Sequence, residues 1–218
     1  METAVKICCM ASVEEALTAI RLGASAIGLV SRMPSGPGPI EEQLIAKIVA
    51  ALPSTIDTFL LTCETSASAI VAQQRRTGTS TLQLVDRVEP GAHAELRARL
   101  PGLRLVQVIH VTGAESVDEA VEAANEVDAL LLDSGNPGLA VKELGGTGRR
   151  HDWAISARIR AQSPVPVYLA GGLNSSNVGE AIATVEPFGV DVCSGVRTGG
   201  RLDLEKLTAF MEAVAAND

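Results

Sequence analysis

The sequence predicts a single (β/α)8 barrel, and three observations carry that expectation. Eight short runs are built mostly of Val, Ile and Leu without strict alternation, the pattern of parallel strands covered by helices. Each run is followed by a segment with helical periodicity and recognisable end signals. The 218 residues are too many for the commonest domain size and normal for one compact barrel. No linker, composition break, solenoid repeat or low-complexity tract divides the chain, so residues 1–218 read as one domain. A doubly wound open sheet is the competing architecture. It usually places a glycine-rich phosphate turn after its first strand, where this chain has Cys8-Cys9-Met10-Ala11-Ser12.

The elements follow in order. AVKICC at 4–9 is the first strand. The first helix, at 12–23, has Ser12 as its N-cap, Glu15 completing a capping box and Gly23 past its end. Strands are then expected at 25–30, 57–62, 81–85, 103–111, 127–133, 165–170 and 190–194. Between and after them, helical patterns occupy 41–52, 66–78, 91–100, 117–126, 153–162, 176–185 and 202–215. The longest irregular stretches are 31–40 and 134–151. Both follow strands, which puts both on the catalytic face of a barrel, where long loops usually serve function.

Composition narrows the partners. Hydrophobic residues make up 46% of the chain but aromatics only 2%, so the core is aliphatic. A formal charge of −8 argues against nucleic acid or an anionic membrane as partner. No apolar run approaches the roughly 18 residues of a membrane helix, and METAVKICCM moves directly into a strand without an export signal. The four cysteines, at 8, 9, 63 and 193, have no CxxC or His-linked spacing, which points to reduced thiols in a cytoplasmic protein and to no metal. Cys8 and Cys9, as neighbours on one strand, are expected to face opposite ways. No dinucleotide fingerprint is present, so no cofactor is expected. Whether the chain is a monomer or a homodimer stays open.

Four strand ends carry chemistry. After the seventh strand Gly171-Gly172, and after the eighth Ser194-Gly195, offer backbone amides where barrels often bind phosphate, with a helix expected to begin near Asn174. Cys8 ends the first strand and Asp133 the sixth. A thiolate can take a proton from carbon and a carboxylic acid can donate one, so the pair suits acid–base work across the barrel mouth. Lys6 shares the strand face of Cys8, either as a cation beside the thiol or as partner to a core carboxylate. His110, ending the fifth strand, suits a hydrogen-bonded structural role better than a chemical one. His151 sits in the long loop as a candidate substrate contact.

The segments VKIC at 5–8, LLLD at 130–133, GGTG and HDW within 145–153, LAGGLN at 169–174 and DVCSGV at 191–196 resemble the phosphoribosylanthranilate isomerase family in the same order along nearly the whole chain. The resemblance implies a (β/α)8 barrel and a cofactor-free Amadori rearrangement of a phosphosugar in tryptophan biosynthesis. It assigns the general base to Cys8, the general acid to Asp133 and the phosphate to Gly171, Gly172, Ser194 and Gly195. The sequence also departs from the family pattern. Cys9 stands where a glycine usually follows the base, and Gly38 stands where an arginine usually grips the anthranilate carboxylate. His151 replaces a phenylalanine. Arg32, in the same loop as Gly38, is the guanidinium left for that carboxylate. The departures keep two alternatives open, a related isomerase or epimerase acting on another phosphorylated sugar and a non-catalytic phosphosugar-binding barrel.

Overall fold

A computed structural model describes residues 2–146 and 148–217; Met1, Thr147 and Asp218, and with Thr147 one position of the GGTG motif, lie outside the described residues. Eight parallel strands close in sequence order into a barrel. They are β1 Ala4–Ile7, β2 Ala26–Val30, β3 Asp57–Thr62, β4 Thr81–Leu84, β5 Arg104–His110, β6 Ala129–Asp133, β7 Val167–Leu169 and β8 Gly189–Val192. Closure is made by β8 on β1, with Lys6 opposite Asp191 and Ile7 opposite Val192. The helices are α1 Val13–Arg21, α2 Glu42–Ala51, α3 Ala67–Thr77, α4 Ala92–Arg99, α5 Ser116–Ala123, α6 Trp153–Gln162, α7 Val178–Val185 and α8 Leu204–Ala215. Every strand expected from the sequence is present, and each is followed by its helix.

Two layers of core follow from the alternation of side chains along each strand. Val5, Ile7, Ile27, Leu29, Leu60, Leu82, Leu105, Ile109, Leu130, Leu132 and Val190 belong to an aliphatic layer that also holds the buried faces of the helices, including Ile45, Ile48, Ile70 and Phe210. The alternate positions fill the barrel interior: Ala26, Phe59, Val106, Val108, Ala129, Leu131 and Tyr168 form a separate cluster. Phe59 and Tyr168 meet edge to face, with ring centroids 5.9 Å apart. Lys6, Gln83 and Asp191 share this interior phase and are buried too.

Local chemistry explains the helix ends. The Ser12 hydroxyl accepts from the Glu15 amide at 3.1 Å, as an N-cap should. The Glu15 carboxylate reaches one residue further back than a capping box requires and accepts from Ala11 N–H at 3.1 Å. α3 ends on Gly78 in the left-handed region. α7 starts at Val178, later than the expected start near Asn174, because Asn174 and Asn177 form side-chain turns instead: Asn174 Oδ1 accepts from Ser176 N–H at 2.9 Å and Asn177 Oδ1 from Asn174 N–H at 2.8 Å. Between β8 and α8 a single 3-10 turn, Ser194–Val196, leads into a hairpin of β9 Arg197–Thr198 and β10 Arg201–Leu202, which period and propensity did not announce. Among the described residues no helix is long and apolar enough to cross a membrane.

Candidate active site

The two long loops lie where expected, after β2 and after β6, and they touch over the mouth of the barrel. Ser35 Oγ donates to the Lys142 carbonyl at 2.6 Å, and a Cβ on Gly146 would stand 2.5 Å from Pro37. Beneath them is a pocket lined by Cys8, Cys9, Asp133, Gly171, Gly172 and Ser194, with an apolar wall of Val30, Met33, Leu61 and Leu144. Five of the sequence-derived candidates, Cys8, Asp133, Gly171, Gly172 and Ser194, therefore converge on one cavity at the carboxyl ends of β1, β6, β7 and β8. Gly195 lies directly after Ser194.

Cys8 follows the last residue of β1 and its amide donates to the Val192 carbonyl at 2.8 Å. Its thiol fits because β2 carries glycine at position 28: a Cβ there would stand 2.7 Å from Cys8 Sγ and 3.1 Å from Lys6 Nζ. A glycine inside a strand commonly marks such a close approach. Lys6 Nζ pairs with Asp191 Oδ2 at 2.8 Å, below the thiol and out of solvent. Burial alone would lower the lysine, but Asp191 and the neighbouring thiols hold its ammonium above the ordinary value. Of the two roles open to Lys6, the carboxylate partner is the one realised, and the cation still lies close to Cys8.

Asp133 ends β6, three places round the ring from β1. Its Oδ1 accepts from the Ser134 amide at 2.7 Å, and its Oδ2 would lie 2.6 Å from a Cβ on Gly145, whose φ of 132° suits glycine. The carboxyl is thus pinned by its own strand end and roofed by backbone. His151 sits beside it, bonded through Nε2 to Ser156 Oγ at 2.7 Å, while its buried Nδ1 has no partner among the described residues. That Nδ1 would be 3.0 Å from a Cβ on Gly171. Burial lowers the His151 pKa, with Asp133 and Asp152 pulling the other way, which keeps the ring neutral near pH 7.

Gly171 and Gly172 both adopt positive φ, 83° and 65°, and the chain around them is crowded: a Cβ on Gly172 would meet the Gly148 carbonyl at 2.8 Å. A Cβ on Gly195 would meet the Leu173 carbonyl at 2.0 Å. The two turns therefore pack backbone to backbone, and only glycine permits it. Among the described residues neither the Gly172 nor the Gly195 amide donates to a protein acceptor, which leaves both for an anion.

Other candidates lie elsewhere. Arg32 is exposed and borders an outer crevice with Pro39, Ile40, Glu41, Glu42 and Gln43; among the described residues no lysine or arginine lines the mouth pocket. His110 Nε2 bonds the Val85 carbonyl at 2.9 Å, the structural role expected of it. The expectation that Cys8 and Cys9 face opposite ways does not hold. β1 ends at Ile7, Cys9 has φ 62°, and both thiols line the pocket.

Three residues escaped the sequence reading. Gln83, buried in the pocket wall, has an unpartnered Oε1 ready for a donor. Asp191 was legible only as an acid in phase with Cys193 on an apolar strand. Arg197, buried beyond β8, donates to the carbonyls of Cys8, at 3.4 Å, and of Cys9, and to Glu15 Oε2 at 3.1 Å. Glu15 is partly buried, which alone would raise its pKa; the amides of Leu202 and Ala11 and the Arg197 guanidinium hold it below the usual range. Arg197 and Glu15 thereby latch the hairpin after β8 onto the backbone that carries Cys8, a contact with no local sequence signal.

Fold and mouth together define a (β/α)8-barrel enzyme, with its polar groups and glycine turns gathered at the C-terminal face. Residues 5–213 match the family model described as N-(5'phosphoribosyl)anthranilate (PRA) isomerase. The N-(5'-phosphoribosyl)anthranilate isomerase 2 of Methanosarcina mazei is 36% identical over 216 residues, covering 98% of this chain and 94% of that protein. The isomerase of Nostoc punctiforme is 32% identical over 215 residues, covering 98% and 99%. The crystal structure of phosphoribosyl anthranilate isomerase from Thermus thermophilus superposes with a TM-score of 0.82 at 27% identity, covering 99% of this chain and all of that one. The chain belongs to the N-(5'-phosphoribosyl)anthranilate isomerase family.

Proposed function

We propose that the protein isomerises N-(5'-phosphoribosyl)anthranilate to 1-(2-carboxyphenylamino)-1-deoxyribulose 5-phosphate, an Amadori rearrangement in tryptophan biosynthesis. Family membership supplies the reaction, and the observation that carries it into this chain is the convergence of Cys8, Asp133 and the two glycine turns on one pocket. Asp133 donates a proton to the furanose ring oxygen, the C1'–O bond opens, and the nitrogen lone pair forms the iminium. Cys8 then removes the proton from C2', giving the enolamine, which tautomerises to the ketone. One acid and one base suffice, because the substrate's own nitrogen is the electron sink.

In this reading the phosphate rests on the amides of Gly171, Gly172, Ser194 and Gly195, which attract an anion where the net charge of the chain would not. His151 Nδ1, neutral and unpartnered, faces the same turn and is placed to bond a phosphate oxygen or a ribose hydroxyl. The aromatic ring packs on Val30, Met33, Leu61 and Leu144. Its carboxylate meets Ser35 and the backbone of the loop after β2, with Arg32 outside the pocket as the structure stands. The enzyme works in the cytoplasm on a small phosphosugar, as a monomer or homodimer, with its four cysteines as free thiols.

The direct test is turnover of phosphoribosylanthranilate, followed by loss of anthranilate fluorescence, together with growth of an isomerase-deficient strain on medium lacking tryptophan. Turnover and growth are expected. A folded protein that gives neither contradicts the proposal.

A further inference from the structure

The mouth holds a cluster of three thiols, of which the isomerisation uses only Cys8. Cys8, Cys9 and Val30 pack together, with Cys193, Met33 and Leu61 against them. Because Ile7 pairs with Val192, the next residues on the adjacent strands, Cys8 and Cys193, leave the barrel side by side. Neighbouring strands run about 4.8 Å apart, which brings Cys193 against the corner formed by Cys8 and Cys9. The left-handed backbone at Cys9 turns its thiol into the same cluster, and Gly38 leaves it room: a Cβ at position 38 would stand 2.8 Å from Cys9 Sγ.

The three thiols are not equivalent. Cys8 and Cys9 are 5% exposed, whereas Cys193 is half-buried and opens onto the pocket. The Cys9 thiol donates to the Pro37 carbonyl at 3.7 Å; that thiol and the Arg197 guanidinium, close to Cys193, outweigh burial and bring the Cys193 pKa below the usual thiol value. The neighbouring Cys193 and Cys8 thiols, together with burial, hold Cys9 well above it. A more accessible, more acidic thiol with a second, less acidic thiol packed in the same cluster is the arrangement of an attacking and a resolving cysteine. Cys63 stands apart, its Sγ bonded to the Arg32 carbonyl at 3.2 Å and its pKa raised by burial. No set of three or more His, Cys, Asp or Glu among the described residues suits a metal ion, so the cluster reads as a redox site.

We propose that Cys193 and Cys9 form an oxidative modification site at which a small peroxide converts the two thiols to a disulfide. The Cys193 sulfur attacks the peroxide, an S–O bond forms as the O–O bond breaks, and the departing hydroxide takes a proton to leave as water. The Cys9 sulfur then attacks Cys193 Sγ. The S–S bond forms, the S–O bond breaks, and the released hydroxide takes the Cys9 proton as a second water. Two thiols are oxidised and one hydrogen peroxide is reduced. The link lies beside Cys8 and draws the strand end that carries it toward β8. Resting on the isomerase reading, the oxidised form loses turnover, and a dithiol restores it.

The test treats the full-length protein with stoichiometric hydrogen peroxide and reads intact mass, thiol alkylation and cross-linked peptides. The expected result is a loss of two hydrogens, two of the four thiols withdrawn from alkylation, a Cys9–Cys193 link and an unmodified Cys63. The link should form in Cys8→Ser and not in Cys9→Ser, where a dimedone-reactive sulfenic acid should remain on Cys193. Oxygen addition without a link in the wild type overturns the site, as does a link that persists in Cys9→Ser and vanishes in Cys8→Ser. Turnover of phosphoribosylanthranilate is measured on the same samples and should fall in proportion to the linked fraction. A linked protein with full turnover refutes the control of activity while the site stands. Absence of turnover before treatment indicts the isomerase reading alone, because mass and alkylation still decide the site.

Discussion

The shell between strands and helices and the interior of the barrel are built from the same eight strands, yet they obey different rules. The shell is apolar throughout, from Val5 to Val214, and asks only that volume be filled. The interior shares its lower layers between apolar residues and the Lys6–Asp191 pair, and its upper layer is given over to Cys8, Asp133 and Cys193. Alternation along a strand thus separates stability from chemistry residue by residue. In the lower interior the charge is held as an ion pair, Lys6 Nζ on Asp191 Oδ2 at 2.8 Å.

The largest effect is expected where charge lies deepest. Lys6→Met leaves Asp191 buried without its counter-ion, and chemical denaturation should show a loss of about 3–5 kcal/mol. Adding Asp191→Leu should return most of it, since an apolar pair often replaces a buried ion pair at little cost. No recovery in the double variant would mean that the pair is held by more than mutual neutralisation. In the shell, Phe210→Ala should cost about 3–5 kcal/mol through its cavity and leave turnover at 25 °C unchanged in the folded protein. A large drop in turnover there would erase the division between the two regions.

The division also decides what was legible in the sequence. Strand and helix order could be read because strands packed on both faces leave short Val-, Ile- and Leu-rich runs and the shell imposes period 3.6 on helices; the expected strand at 57–62 coincides with β3. Cys8, Asp133 and the glycine turns were legible because a thiol, an acid or paired glycines at the end of an apolar run conflict with simple packing. What stayed hidden depends on long-range contact. Arg197 reaches the Cys8 and Cys9 carbonyls across about 190 positions of chain, and Arg32 turns outward though its loop lies over the mouth. Cys9 was misplaced because the first strand stops at Ile7, two residues before the expected end, and a φ of 62° then overrides alternation.

A smaller effect probes that misplaced corner. Gly38 has φ 87°, and a Cβ there would lie 2.6 Å from Cys9 Cβ, so the two positions share one space. Gly38→Arg alone should therefore destabilise by about 1–3 kcal/mol. The same change in a Cys9→Gly background should cost less, with a coupling of about 0.5–3 kcal/mol in the double-mutant cycle. Additive costs would show that Cys9 and Gly38 are independent departures from the family pattern. If the paired variant also lowers KM for phosphoribosylanthranilate, the loop after β2 is where the aglycone carboxylate is read.

The most direct measurement compares Cys8→Ser and Asp133→Asn with the wild type in turnover of phosphoribosylanthranilate, with thermal stability recorded on the same samples. Each variant is expected to lose at least about 100-fold in kcat, the low end for general acid–base catalysis. Stability should change little, since both side chains face the pocket rather than the aliphatic shell. Turnover close to the wild-type rate in both variants would contradict the assignment of base and acid to Cys8 and Asp133.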